Sequence, residues 1–179
     1  MKKKSIISWI IKIVIISVTA SMIFTLVSTE IIGNTGYVIS FALLAIFIII
    51  GILFDIIGIS VTMATENPFH SMASRRERGA AEALKLLRNA EKVSSICLDI
   101  VGDVTGIVSG TTAAMITARL MVSFNTENVL FQILLLGLVT GLTIGGKAIG
   151  KTFAIGNSTA IVHRVGVLIS LFNLKRKKA

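Results

Sequence analysis

Among the charged residues that lie inside long apolar segments of this 179-residue sequence are Asp55, Asp103 and Lys147. A charge at the centre of a bilayer costs roughly 2.5–3.5 kcal/mol on insertion scales, so a chain keeps one where it pairs, faces water or holds an ion. Oxygen ligands suit hard cations such as magnesium. An ammonium group at the same depth would compete with that cation for the carboxylates. The residues alone leave a structural ion pair and an ion pathway open.

Four apolar stretches contain or flank these charges, at 5–28, 37–63, 94–122 and 128–154. About 20 predominantly apolar residues are enough for a helix to cross a bilayer. Only 15% of the sequence is charged, below the roughly 25% that is typical of soluble domains. We therefore expect an all-α integral membrane protein with four transmembrane helices and juxtamembrane amphipathic helices. The first stretch is longer than a usual signal-peptide core, so we expect it to be retained.

The three charges have similar predicted depths, roughly 10–14 Å from the inner ends of their stretches at 1.5 Å per residue. This agreement makes the two aspartates the candidate metal ligands, with Ser, Thr and backbone oxygens as further donors around them. The other ion-site candidates are their small or polar neighbours Gly102, Thr105 and Gly146, and the secondary polar positions are Asp99, Ser109, Thr143 and Lys151.

The formal net charge of +9 is distributed unevenly along the chain. Basic residues precede the first stretch, separate the second from the third, and follow the fourth, whereas the loops near 29–36 and 123–127 carry only Glu30 and Glu127. An excess of Lys and Arg marks cytoplasmic loops. We therefore expect a multi-pass protein of the cell membrane with both termini cytoplasmic. The lipid bilayer accounts for the positive charge, and no nucleic-acid partner is expected.

Two segments outside the stretches have helical apolar periodicity. In residues 74–92 one face carries Ala80, Ala83, Leu84, Leu87 and Ala90. This pattern predicts a basic amphipathic helix on the inner membrane surface, with a solvated connecting helix as the alternative. Residues 157–174 repeat the pattern, and Arg119, near the outer end of the third stretch, is expected to reach the headgroups.

Glycines recur every fourth residue in the third and fourth stretches, at Gly102, Gly106 and Gly110 and at Gly137, Gly141 and Gly145. Such strips let helices approach closely, so we expect these two helices to pack together or across a dimer. The sequence contains no nucleophile-and-base set, phosphate loop or dinucleotide fingerprint. We expect no enzymatic activity and no firm cofactor, with magnesium as the one candidate ligand.

Three segments, in this order, resemble the transmembrane domain of the cyclin M and CorB/CorC magnesium transporters. They are the stretch from Phe54 through RGAAEALKLLRNAEKVSS, IVGDVTGIVSG at 100–110, and IGGKAIGKTFA at 144–154. The similarity covers roughly residues 50–172. It implies a homodimer of short helical bundles, a collar of interfacial helices, and a cation site between spans that moves magnesium, coupled to sodium. It also divides the chain into an N-terminal helix and outer loop (1–36), the family domain (37–174) and a basic tail (175–179).

The departures from the family pattern fall on the cation site. The family FSGSE becomes FDIIG at 54–58, GNN becomes Gly102-Asp103-Val104, and the glutamate of GE-x-x-PKT becomes Lys147. The regulatory CBS pair and transporter-associated domain have no counterpart here, so a separate regulatory subunit is a candidate partner. We predict a CorB/CorC-like protein of divalent-cation transport, for magnesium or cobalt, with an altered site. The alternative is a non-transporting scaffold or regulator whose site is closed by an Asp–Lys pair, with Lys147 as a built-in cation.

Overall fold

The computed structural model describes residues 3–125 and 128–176, and the surroundings of side chains over 7–125 and 128–171. Within these ranges every regular element is a helix, and no strand occurs. In chain order the elements are α1 (Lys3–Asn34), α2 (Tyr37–Met63), α3 (Asn67–Ser74), α4 (Ala80–Arg88), α5 (Ala90–Ser95), a π-helical segment (Ile96–Gly102), α6 (Asp103–Ser123), α7 (Val129–Gly156) and α8 (Ser158–Arg176).

Four of these helical stretches are long and apolar enough to cross a membrane, which confirms the predicted number and approximate positions. They are Ile7–Asn34, Tyr37–Met63, Ala90–Ser123 and Val129–Gly156. The third joins α5, the π-helical segment and α6. Of the predicted charge pattern, Glu127, Lys2 and residues 177–179 lie outside the described residues.

The loop predicted at 29–36 is wrong in extent, because α1 continues to Asn34. Polar side chains there donate to their own helix: Thr29 to the Thr25 carbonyl at 2.8 Å and Asn34 to the Glu30 carbonyl at 3.0 Å. Such i to i−4 bonds let polar residues remain helical where hydropathy alone predicts a loop.

Contacts divide the chain into two compact units. The first comprises Met1–Ile52 and Ile100–Gly146, and the second comprises Leu53–Asp99 and Lys147–Ala179. In the first unit α1 packs along α6. Its main apolar cluster contains the buried residues Ile32, Leu44, Ala113, Ile116 and Val139.

Arg119 joins two helices of the first unit. Its guanidinium donates hydrogen bonds to the Ile32 carbonyl and, at 3.1 Å, to the Thr35 carbonyl, and it lies 5.5 Å from the centroid of the Tyr37 ring. The last carbonyls of a helix lack intrahelical donors, and the negative end of the helix dipole favours a cation there. Arg119 therefore caps α1, and its contact with headgroups stays a prediction.

The second unit contains α3, α4, α5, α8 and the adjoining parts of α2 and α7. Its apolar cluster contains Val61, Phe69, Ala83, Leu87 and Val162. Pro68 lies in the first turn of α3, where a missing backbone N–H breaks no helical bond. The ends of α2 and α7 and the start of α5 all belong to this unit.

The single helix predicted over 74–92 is wrong, because the chain forms α4 and α5 there after an irregular connection. Gly79 has a φ of 86°, a left-handed conformation that separates α3 from α4. The predicted apolar face is confirmed, with Ala80 and Ala83 fully buried and Leu87 9% exposed. This face packs on α3 and α8, so it is covered by protein and not by lipid.

The apolar residues of 157–174 do not all lie on the buried stripe of α8. Val162, Gly166 and Ser170 are buried, whereas Leu168 is 56% exposed. Apolar periodicity alone does not mark this stripe because a glycine and a serine occupy two of its positions. The small side chains are needed where α4 crosses α8.

Candidate functional site

The second unit brings Asp55 and Lys147 together. The Lys147 Nζ lies 3.0 Å from the Asp55 Oδ2, and the side chains are 28% and 13% exposed, respectively. Asp55 lies within α2 and Lys147 within α7. The ion pair therefore links two helices that are far apart in the sequence. The distance and partial burial make this a charge-assisted hydrogen bond, which is about twice as strong as a neutral one.

A close approach between helices lies one turn from Asp55. A Cβ atom added at Gly58 would lie 2.8 Å from Leu98 Cγ and 3.0 Å from Cys97 Cβ. Only glycine lets α2 lie this near the π-helical segment without displacing its neighbours. The buried Cys97 thus serves as a small packing residue here.

The π-helical segment Ile96–Gly102 was missed by sequence reasoning. Such segments are rare, and they often lie at functional sites. Asp99 belongs to this segment and is exposed, and its Oδ2 accepts a hydrogen bond of 2.6 Å from the Ser95 hydroxyl. No residue type in the segment distinguishes it from an α-helix, so the sequence carries no signal for it.

Asp103 belongs to the first unit and is exposed at the start of α6. Its predicted polar neighbours are turned toward their own helix. Thr105 donates to the Val101 carbonyl at 2.7 Å, and Ser109 donates to the Gly106 carbonyl at 2.9 Å. Thr143 donates in the same way to the Val139 carbonyl at 2.8 Å.

The remaining candidate positions lie on the same helices or next to them in the sequence. Gly146 lies against Ile52, since an added Cβ would be 2.5 Å from the Ile52 Cδ1, and Lys151 is exposed on α7. Gly102 is buried at the junction between the π-helical segment and α6. These residues shape the helices around the charges, and none of them adds a carboxylate.

The donor set at Asp55 does not fit magnesium. Magnesium demands nearly octahedral oxygen coordination and loses its water reluctantly, whereas the Asp55 carboxylate faces an ammonium group at 3.0 Å. Over the part of the chain that the structure describes, no group of three or more His, Cys, Asp or Glu residues could hold a metal ion.

The glycine strips do not join the third and fourth helical stretches within this chain. A Cβ atom added at Gly106, Gly110, Gly137, Gly141 or Gly145 would meet no described atom within 4 Å. The prediction that the strips pack together is wrong, because α6 packs on α1 and α2 through another face, which includes Val104 and Val108. Packing across a dimer stays a prediction.

Comparisons with protein-family models, characterised proteins and solved structures found no match to this chain. The resemblance to the cyclin M and CorB/CorC transporters therefore depends on the three sequence segments alone. The function has to be argued from the charged residues and from what each of them contacts.

Proposed function

We propose that this chain is a CorB/CorC-like integral membrane protein in which Lys147 takes the place of the transported cation. It would serve divalent-cation transport as a scaffold or regulator and would not itself transport the ion. The observation that supports this function is the Lys147–Asp55 ion pair at 3.0 Å. Lysine lies where the family pattern has glutamate, so the local charge differs by two units from that of a transporting relative.

Electrostatics explains why the ammonium would exclude magnesium. Two unit charges 4 Å apart interact by about 4 kcal/mol at an effective dielectric constant of 20, so a divalent ion beside the ammonium is opposed by roughly 8 kcal/mol. A single carboxylate cannot offset this repulsion together with the dehydration of the ion. The fixed ammonium neutralises Asp55 without that dehydration.

A magnesium flux assay tests this function. The full-length protein is reconstituted in vesicles that contain a magnesium-sensitive dye, and wild type is compared with Lys147→Glu. Wild type should match empty vesicles, and Lys147→Glu should admit magnesium because it restores the family glutamate. Lys151→Glu, one turn away and exposed, makes the same charge change and should admit none. Flux through wild type would overturn the proposal.

The second candidate is magnesium transport through an altered site. It is favoured by the exposed carboxylate of Asp103 at the start of α6. The same assay separates the two functions. Transport would give flux through wild type that Asp103→Asn abolishes and Lys151→Glu leaves in place.

We also propose that the protein is embedded in the cell membrane with both termini cytoplasmic, as a homodimer that a separate regulatory subunit can join. The open glycine strips support the homodimer, since a second copy could cover them. Asp103 supports the homodimer as well, since it is exposed on a span-length helix. Lipid alone would not solvate that carboxylate.

A further inference from the structure

Three exposed arginines lie in the connection between α3 and α4: Arg75, Arg76 and Arg78, here called the arginine loop. The loop begins with a helix-terminating Schellman motif. The Arg76 N–H donates to the Ala73 carbonyl at 3.0 Å, and the Glu77 N–H donates to the Met72 carbonyl at 3.0 Å. Arg76 itself has a φ of 58°.

Glycine is the usual residue at the left-handed position of this motif. A residue with a side chain pays about 1–2 kcal/mol there because its Cβ lies too close to the following carbonyl oxygen. Arg76 therefore occupies a position at which its side chain strains the backbone. Its exposed guanidinium is the property that glycine would lack.

The loop is fixed to α8 by a close helix crossing. An added Cβ at Gly166 would lie 2.4 Å from the Gly79 carbonyl oxygen, and one at Gly79 would lie 2.4 Å from the Val167 nitrogen. The His163 Nε2 lies 3.2 Å from the Arg78 carbonyl oxygen. Arg164 follows His163 in the chain and is also exposed.

Counting the exposed Glu77, which lies between Arg76 and Arg78, the three arginines leave the arginine loop with a formal charge of +2 (3 − 1). Of the ion pairs formed by described residues, none within 4 Å involves its arginines, whereas Arg88 on α4 has Glu66 at 3.9 Å. Guanidinium groups bind phosphate oxygens in a planar, bidentate geometry. A cluster of them on a fixed backbone is suited to a phosphate group.

We propose that the arginine loop binds the phosphate groups of anionic phospholipids in the leaflet next to it. This inference rests on the proposed membrane placement. The loop belongs to the unit that contains the ends of α2 and α7 and the start of α5, so headgroups are the most concentrated phosphates near it. The apolar face of α4 is already covered by α3 and α8. Attachment therefore depends on charge and not on an inserted apolar face.

The test measures the binding of phosphatidylglycerol to the full-length protein in neutral detergent by native mass spectrometry, with phosphatidylcholine as the neutral reference. The variant R75Q/R76Q/R78Q is compared with K85Q/R88Q/K92Q, which removes the same number of charges from α4 and α5. A basic residue near an anionic surface contributes about 1 kcal/mol, or about fivefold in affinity. The arginine-loop variant should lose roughly 100-fold and the control less than tenfold.

Three results would overturn the proposal: equal losses in both triple variants, equal binding of the two lipids by wild type, or full displacement of the lipid by equimolar inorganic phosphate. Melting in neutral detergent shows whether each variant is folded. If the triple variant does not fold, the single substitutions carry the test, each with an expected loss of about fivefold. Magnesium flux does not enter this measurement, so its outcome is separate from that of the transport assay.

Discussion

Replacing Arg76 by glycine should stabilise the protein while weakening its lipid binding. Arg76 holds the left-handed position of the Schellman motif with a φ of 58°. Glycine removes the steric cost of about 1–2 kcal/mol at this position. Its greater freedom in the unfolded chain offsets about 0.5–1 kcal/mol of that gain. The expected net stabilisation is about 0.5–1 kcal/mol.

Thermal melting of the full chain in neutral detergent measures this change. For a chain of this size 1 kcal/mol corresponds to about 2–4 °C, so Arg76→Gly should raise the melting temperature by about 1–4 °C. Asn125→Gly is the matched control, because Asn125 has a φ of 47° after α6 and asparagine tolerates that conformation. The control should gain less. A lower melting temperature for Arg76→Gly, or unchanged phosphatidylglycerol affinity, would refute the reasoning.

Two further substitutions test the charged contacts of each unit. Arg119→Leu removes the hydrogen bonds to the carbonyls of Ile32 and Thr35. Each hydrogen bond from a charged group contributes about 1.5–3 kcal/mol, so loss of both should lower the free energy of unfolding by about 3–6 kcal/mol, and Arg119→Lys should lose about half of that. A change below about 0.5 kcal/mol would show that the cap is not stabilising. Lys147→Met leaves the Asp55 carboxylate without this ammonium and should destabilise by about 2–4 kcal/mol, whereas adding Asp55→Asn should recover most of the loss. Unfolding measurements on both single variants and the double variant give the coupling, and simple additivity would be inconsistent with an energetically important pair.

The four long helices could be predicted because their apolar residues form runs that no loop would contain. The Asp55–Lys147 contact could be anticipated because both residues lie at the same counted depth, and a helix rises by a constant amount per residue. Counting residues from the inner end of each stretch makes Asp55 and Asp103 equally suitable partners for Lys147. Choosing between them needed the rotation of each helix about its axis, which apolar runs do not record.

Features that depend on a neighbouring helix could not be predicted. Gly79 could be a helical residue by sequence, and its left-handed conformation goes with the crossing by Gly166. The π-helical segment has no residue marker at all. Spacing identifies the glycine strips of α6 and α7, but it does not indicate that α1 and α2 pack on another face of α6. For the same reason the sequence does not show that Arg119 caps the end of α1.

The most direct test of Lys147 as a built-in cation is the thermal stability of the protein with and without magnesium. A genuine site at 100-fold saturation would add about 2.7 kcal/mol to the free energy of unfolding. We expect no shift for wild type in millimolar magnesium and a rise for Lys147→Glu. A clear upward shift of wild type that Asp103→Ala abolishes would contradict the account, because it would mean that the chain binds magnesium despite its lysine.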